Sequence, residues 1–377
     1  MSAFSLDDLR RWPDFEAPEL RAWDAADTLI LDEAGTLLVG ADVTVIGDDY
    51  GALTLGALDR GAASVRVHQD RLSAELALRA NGRALGAAGV ALGTAGSFTS
   101  MPLAAELVSG AAVVLLRLPR SLDALDEIAA LIAAHALPGV VVIAGGRIKH
   151  MTVTMNEVLG KHFGRVDVTH ARQKSRCLIA RQPLAGALVE PRRKFHADLG
   201  LWVVATGGVF AGTSVDIGTR ALLGVLDRVG AFQSAVDLGC GTGLLAASLA
   251  RQAAAGRTGA RVLATDESAA AVASTTLTMR ANDLDVMVTR DDAGSRVADH
   301  SVDLVLLNPP FHTGAAVHSG VSTKLFEAAS RMLRPGGELW TVFNSHLNHR
   351  PELERIVGPT SQVERTPKFT VTLSRRR

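Results

Sequence analysis

The chain carries one pattern twice. DVTVIGDDYGALTLGAL (42–58) lies over SAVDLGCGTGLLAASLA (234–250), with Gly47 on Gly239 and Gly51 on Gly243, an offset of 192. RANG (79–82) matches RAND (280–283) at offset 201, and VLLRLPRSL (114–122) lies over VLLNPPFHT (305–313) at offset 191. LPGVVVIAGGRIKH (137–150) resembles RPGGELWTVFNSHLNH (334–349). One such match would be weak, because alanine- and valine-rich segments align easily. Four in the same order, at nearly constant offset, mean two copies of one unit.

Each copy alternates strand and helix. VVVIAGG and SVDLVLLN are continuous apolar runs, as expected of parallel strands covered on both faces. TKLFEAASRMLRPGG reads as helix between strands. The expected fold is therefore α/β: two tandem Rossmann-like units, each a doubly wound sheet. The 377 residues leave room for two domains of about 100–200 residues. Proline, glycine and charge cluster in RQPLAGALVEPRRK (181–194), so the domains are set at 1–183 and 184–377. After that linker, FHADLGLWVVATGGVFAG is expected to open the second domain as a hairpin.

Composition removes several classes. Formal net charge is zero, which gives no global pull toward nucleic acid or membrane. Cys177 and Cys240 make no disulfide framework and fit a reducing compartment. The N-terminus is charged, and no apolar run approaches about 18 residues. A soluble cytoplasmic protein without a membrane span is expected. His312, His318, His346 and His349 show no metal-ligand spacing, and no metal is expected. Cys240 reads as a small residue in a turn, and Met279 and Met287 as core.

The second copy holds the chemistry. In VDLGCGTG, Gly239, Gly241 and Gly243 permit a tight turn and close approach of backbone to a ligand at a helix start. A dinucleotide loop would use the same physics. Asp237, just before the turn, favours S-adenosylmethionine, whose ammonium an acid can meet. Asp266 ends the next strand, ARVLATD, and can accept from both ribose hydroxyls; it or Ser268 could instead cap the following helix. Asp291 and Asp292 end the third strand, where one could accept from the adenine amino group or simply face solvent.

The fourth strand ends in Asn308-Pro309-Pro310-Phe311. The prolines stop the strand and hold two acceptors rigidly, the Asn308 side-chain oxygen and the Pro309 carbonyl. A planar NH2 group has two hydrogens for them, and Phe311 offers a face for a flipped base. The amine's lone pair is delocalised into its ring, so alignment and polarisation toward a methyl donor are what it needs. Guanine N2, adenine N6 and a protein glutamine amide all fit this description. A nicotinamide oxidoreductase does not, because NPPF has no role in hydride transfer. A non-catalytic RNA-binding assembly factor would not need an intact second copy.

VDLGCGTG, ATDES, LLNPPFH and GVFAGTSVDIGTRALL (208–223) together resemble the ribosomal RNA guanine-N2 methyltransferases. RAWDAADTLIL (21–31), LPRSLDAL (118–125) and the basic C-terminus make the 23S type the nearer likeness. The resemblance implies two methyltransferase-like domains, of which only the second is active. It implies that Asn308, Pro309 and Phe311 hold the guanine. It gives Asp237, Gly239, Gly241 and Gly243 the methionine end of S-adenosylmethionine, Asp266 the ribose and Asp292 the adenine.

The first copy has lost these residues. Asp49 and Tyr50 stand for Gly241 and Thr242, Arg117 for Asn308 and Arg120 for Phe311. Residues 111–181 carry ten Lys and Arg against five Asp and Glu. Arg117, Arg120, Arg147, Lys149 and Lys174 are therefore candidates for contact with RNA phosphates, with shape rather than bases being read. The expected molecule is a monomer acting on ribosomal RNA.

Overall fold

The computed structural model describes residues 4–87, 97–256, 259–310 and 315–377, without the side chains of residues 87, 97 and 315–319. The chain divides into two compact units, Met1–Glu190 and Pro191–Arg377. The division lies past the expected 183/184 boundary but inside the stretch 181–194. Residues 184–190 follow the last strand of the first unit without regular structure.

The strands of the first unit are β1 (Asp42–Ile46), β2 (Ser64–His68), β3 (Ser97–Ser100), β4 (Val113–Arg117), β5 (Val141–Arg147), β6 (Phe163–Val168) and β7 (Ser175–Pro183). They form one sheet in the order β3-β2-β1-β4-β5-β7-β6. Only β7 opposes its neighbours; the other pairs are parallel. The helices are α1 (Ala25–Ala34), α2 (Ala52–Asp59), α3 (Leu72–Ala87), α4 (Ala105–Val108), α5 (Leu122–His135) and α6 (Thr154–His162).

The second unit opens with the expected hairpin, β8 (Arg192–His196) antiparallel to β9 (Leu201–Ala205). Its sheet contains β10 (Ser234–Leu238), β11 (Arg261–Asp266), β12 (Met287–Arg290), β13 (Val302–Leu307), β14 (Leu333–Asn344), β15 (Thr360–Arg365) and β16 (Phe369–Arg375). The order β12-β11-β10-β13-β14-β16-β15 repeats that of the first unit. The helices are α7 (Ile217–Leu223), α8 (Leu244–Ala255), α9 (Ala269–Ala281), α10 (Ala315–Met332) and α11 (Arg350–Ile356).

The strands are apolar throughout because each sheet is packed on both faces. In β10, Ala235 joins one core cluster with Leu304 and Leu306, while Val236 and Leu238 join another with Val305 and Leu307. Edge position overturns one expectation. Met279 is buried, but Met287 is 67% exposed, because β12 is the sheet's outer strand.

Register fixes the correspondence of the copies. Ile46 lies opposite Leu116, and Leu238 opposite Leu307, so Arg117 and Asn308 occupy equivalent strand ends. The RAN repeat also has a physical reason. The Asn81 amide accepts from the Arg10 backbone N–H (3.0 Å) and donates to the Arg10 carbonyl (2.8 Å). Asn282 does the same with the N–H and carbonyl of Trp202 (2.9 and 2.8 Å). Each unit thus hangs its leading segment on one asparagine.

Phe326 is fully buried in the core beneath β13 and β14, edge-on to His349. Phe326→Ala should cost about 3–5 kcal/mol. In urea, the second unit's transition should move to lower denaturant while the first unit's stays in place.

Candidate active site

The crevice lies where the sheet order reverses, at the carboxyl ends of β10 and β13. β10 is followed by a loop in which Gly239, Gly241 and Gly243 all have positive φ (78°, 56° and 80°). The three differ in purpose. A Cβ on Gly239 or Gly241 would meet nothing within 4 Å, so packing does not require either to be glycine and one side of each is open. A Cβ on Gly243 would strike Met279 and Thr275 of α9 at 2.8 Å. Gly243 is therefore required by packing against α9, a reason for glycine separate from any approach to a ligand. Cys240 is buried with its Sγ 3.3 Å from Thr275 Oγ1, as a small turn residue.

Asp237 sits under this loop, only 1% exposed. Its Oδ2 accepts from the Ala246 N–H (2.9 Å), and its Oδ1 has no partner among the described residues. Burial pushes the carboxyl up to about 7; the Ala246 N–H opposes this, and nearby Asp266 adds to it. A buried oxygen without a partner costs free energy that a cation in the crevice would recover. This oxygen, together with the open glycine side, fits the charged methionine end of S-adenosylmethionine. Asp266, at the end of β11, accepts from the N–H of Gly241 (3.0 Å) and of Ser268 (2.9 Å). Ser268 rather than Asp266 caps α9, through the Ala271 N–H.

The acids after β12 have other work. Asp291 is buried and closes its own loop by accepting from Ser295 Oγ (2.6 Å) and the Arg296 N–H (2.9 Å). Asp292 takes the Lys324 ammonium on both oxygens (2.7 and 2.8 Å). Its expected adenine contact thus competes with an ion pair that sequence could not show.

Asn308 follows β13. Its Nδ2 donates to Thr219 Oγ1 (3.0 Å) and to the Asp216 carboxylate (3.3 and 3.4 Å), and its Oδ1 is buried without a partner among the described residues. Pro309 is buried and Pro310 exposed. Phe311 and His312 lie outside the described residues. Asp216 and Thr219 were assigned no role from sequence. The available signal was an aspartate before a short helical run, and Asp216 does cap α7 through the N–H groups of Gly218 and Thr219.

The equivalent crevice of the first unit is filled by its own chain. Asp48, fully internal, accepts from the N–H groups of Gly51 (3.0 Å) and Thr54 (2.8 Å) at the start of α2. Gln69 follows β2 where Asp266 ends β11, and binds the Asp48 carbonyl (2.7 Å). From the leading segment, Asp14 accepts from the Tyr50 hydroxyl (2.6 Å) and Arg71 Nη1 (3.1 Å). The Arg11 guanidinium lies 4.6 Å from the Tyr50 ring centroid.

Arg117 pairs with Asp24 (2.7 Å) and Asp27. Its guanidinium is spent internally, which corrects its expected availability to RNA. Arg120, Arg147, Lys149 and Lys174 are not so held, and no ion pair among the described residues includes them. His150 is held below its ordinary value by its slight burial and then by the charges of Arg120, Lys149 and Arg147. The Lys174 carbonyl accepts from the Ile148 N–H (3.0 Å), which ties the turn carrying Lys174 to this group.

A second basic element lies on the hairpin of the second unit. Arg192, Arg193 and Lys194 are exposed, and the Arg193 guanidinium sits 4.0 Å from the Trp202 ring centroid. Among the described residues no helix is long and apolar enough to cross a membrane, and no three His, Cys, Asp or Glu gather as a metal site.

Comparison with known proteins agrees with this architecture. Residues 200–373 match the methyltransferase small domain, and residues 1–184 the RLMG N-terminal domain. A ribosomal RNA large subunit methyltransferase G from Streptomyces avermitilis is 35% identical, across 96% of this chain and 95% of that protein. One of the same name from Pseudomonas putida is 33% identical, across 98% and 97%. Among solved structures, the T. thermophilus 16S rRNA N2 G1207 methyltransferase, in complex with AdoMet and guanosine, shares the fold. Its TM-score is 0.74 at 22% identity, over 96% of this chain and 95% of that one. With relatives this similar along nearly its whole length, the chain belongs to the ribosomal RNA large subunit methyltransferase G family of S-adenosylmethionine-dependent enzymes.

Proposed function

We propose that the second unit methylates the exocyclic N2 amine of a guanine in large-subunit ribosomal RNA, and that the first unit helps hold that RNA. The observation that carries this is Asn308: a buried amide oxygen without a partner among the described residues, at the end of the fourth strand and followed by the buried Pro309. Such an acceptor suits an N–H of a planar amine. S-adenosylmethionine, when bound, supplies an electrophilic methyl on its sulfonium, and the amine nitrogen that takes it gives up a proton as the sulfur keeps the bonding pair. Asn308 orients the amine for in-line approach, and Phe311 stacks on the base. Asp237 meets the ammonium of the donor, Gly239 and Gly241 admit its main chain, and Asp266 takes its ribose. Asp292 would reach the adenine only beside Lys324.

The reading calls for one cofactor site per chain, because Asp48, Asp14 and Tyr50 fill the first crevice. It places the protein in the cytoplasm with its ribosomal substrate. It takes the protein to act as a monomer. Adenine N6 and glutamine amides share the planar amine. Nucleoside analysis of ribosomal RNA from cells with and without the gene should show N2-methylguanine lost in its absence, and an unchanged profile would refute the proposal.

Three outcomes test the residues. Calorimetry should find one S-adenosylmethionine site per chain. Below pH 7 Asp237 is mostly protonated and must release a proton to meet the ammonium. Affinity should therefore tighten by up to about tenfold per unit as pH rises from 5.5 to 7. Asp237→Asn should flatten that slope.

Asn308→Ala should leave cofactor affinity nearly intact and lower turnover on the order of 100- to 1,000-fold. Wild-type turnover would remove Asn308 from the chemistry.

Replacing Arg120, Arg147, Lys149 and Lys174 together by alanine should weaken RNA binding and flatten its salt dependence, since phosphate contacts are screened. Unchanged filter binding across salt concentrations would leave the hairpin cations Arg192 to Lys194 as the RNA contacts.

A further inference from the structure

The side-chain amide of Asn308 has two orientations, and the reaction proposed above can use only one. An amide presents an acceptor on one side and a donor on the other. With the NH2 turned to the substrate, two donors would face each other and the amine would be repelled. Something must therefore decide which way the amide lies.

The neighbours of Asn308 decide it. Thr219 Oγ1 lies 3.0 Å from Nδ2, and both Asp216 oxygens lie 3.3–3.4 Å away. An ionised carboxylate can only accept. Turned over, the amide would set its own oxygen against that negative charge, so the NH2 must face Asp216 and the oxygen must face away. Asp216 is itself fixed: its Oδ1 accepts from the N–H groups of Gly218 (2.9 Å) and Thr219 (3.2 Å) at the start of α7. The fixed carboxylate holds the amide, and the amide oxygen is left buried and without a partner among the described residues.

Gly218 completes the arrangement. A Cβ there would lie 2.7 Å from Asn308 Oδ1. Any other residue would press on that oxygen and displace the amide. The run Asp216-Ile217-Gly218-Thr219 thus provides a charge to set the amide, room beside its oxygen and a second acceptor for its NH2. The spacing follows from the cap: one turn of helix brings the first and fourth residues to the same end.

We propose that Asp216 and Thr219 are positioning residues that hold the Asn308 amide with its oxygen toward the substrate amine, and that Gly218 keeps the space beside that oxygen. They touch neither substrate nor cofactor; they act through Asn308. This rests on the amine-methylation reading and adds the device that makes Asn308 an acceptor.

The test uses the full chain, a large-subunit ribosomal RNA transcript and S-adenosylmethionine. Asp216→Asn keeps the helix cap, since asparagine caps as well as aspartate, but replaces the charge by a group that can turn either way. Thr219→Val removes the acceptor at similar shape, and Thr219→Ser retains it. Asp216→Asn and Thr219→Val should each slow single-turnover methylation on the order of 10- to 100-fold. Gly218→Ala should do the same. S-adenosylmethionine affinity and the RNA concentration for half-maximal rate should stay within about twofold of wild type, and Thr219→Ser should keep the wild-type rate.

A double-variant cycle separates positioning from folding. If Thr219 works only through Asn308, the Asn308→Ala/Thr219→Val double variant should be no slower than Asn308→Ala alone. Additive losses would overturn the proposal, as would a Thr219→Ser as slow as Thr219→Val. Wild-type rates for Asp216→Asn and Thr219→Val, with Asn308→Ala inactive, would overturn the positioning role and leave the amine-methylation reading standing. A fully active Asn308→Ala would overturn both.

Discussion

A polar group withdrawn from water needs a partner, and both halves of this molecule are shaped by how that demand is met at the ends of their central strands. The strand order and backbone turn are the same in each. In the first unit the chain answers itself: Asp48 takes the N–H groups of α2, Asp14 takes Tyr50 and Arg71, and Asp24 and Asp27 take Arg117. In the second unit Asp237 Oδ1 and Asn308 Oδ1 are buried without a partner among the described residues. One scaffold thus yields a closed crevice and an open one. The difference resides in a few side chains and in what each leading segment is doing.

Much of this was legible in the residues, for a definite reason. Repeats and strand periodicity reflect backbone registers, and registers survive substitution: Leu116 and Leu307 do fall opposite Ile46 and Leu238. The acids at strand ends could be placed because strand ends are where such sheets bind ligands. What sequence could not give was the choice of partner across space. Arg117 looked like a surface cation until Asp24 and Asp27, about ninety residues away, were brought to it. Asp292 looked open until Lys324 met it. Gly243 looked like its neighbours in the loop until α9 was seen against it. Met287 carried an apolar side chain to an edge that no pattern marks as an edge.

The basic residues illustrate the same limit in reverse. The excess of cations between residues 111 and 181 is a property of a segment, but a binding surface is a property of a face. Folding divides the segment: Arg117 goes inward, Arg172 pairs with Asp32, and Arg120, Arg147 and Lys149 stay out of any ion pair among the described residues while their charges act on His150. Charge counts along a chain locate a surface only after such internal pairs are removed.

The leading segment of the first unit acts as a permanently tethered ligand. Held by Asn81 and laid over Tyr50, it is always present, at an effective concentration that no diffusing molecule need match. Among the described residues, no segment of the second unit pairs with Asp237 Oδ1 or Asn308 Oδ1. That unit's stability is linked to the supply of S-adenosylmethionine and rises with the logarithm of that supply once the dissociation constant is exceeded. The two halves therefore answer to different variables. With the site where we propose it, added S-adenosylmethionine raises the unfolding midpoint of the second half and leaves that of the first where it was.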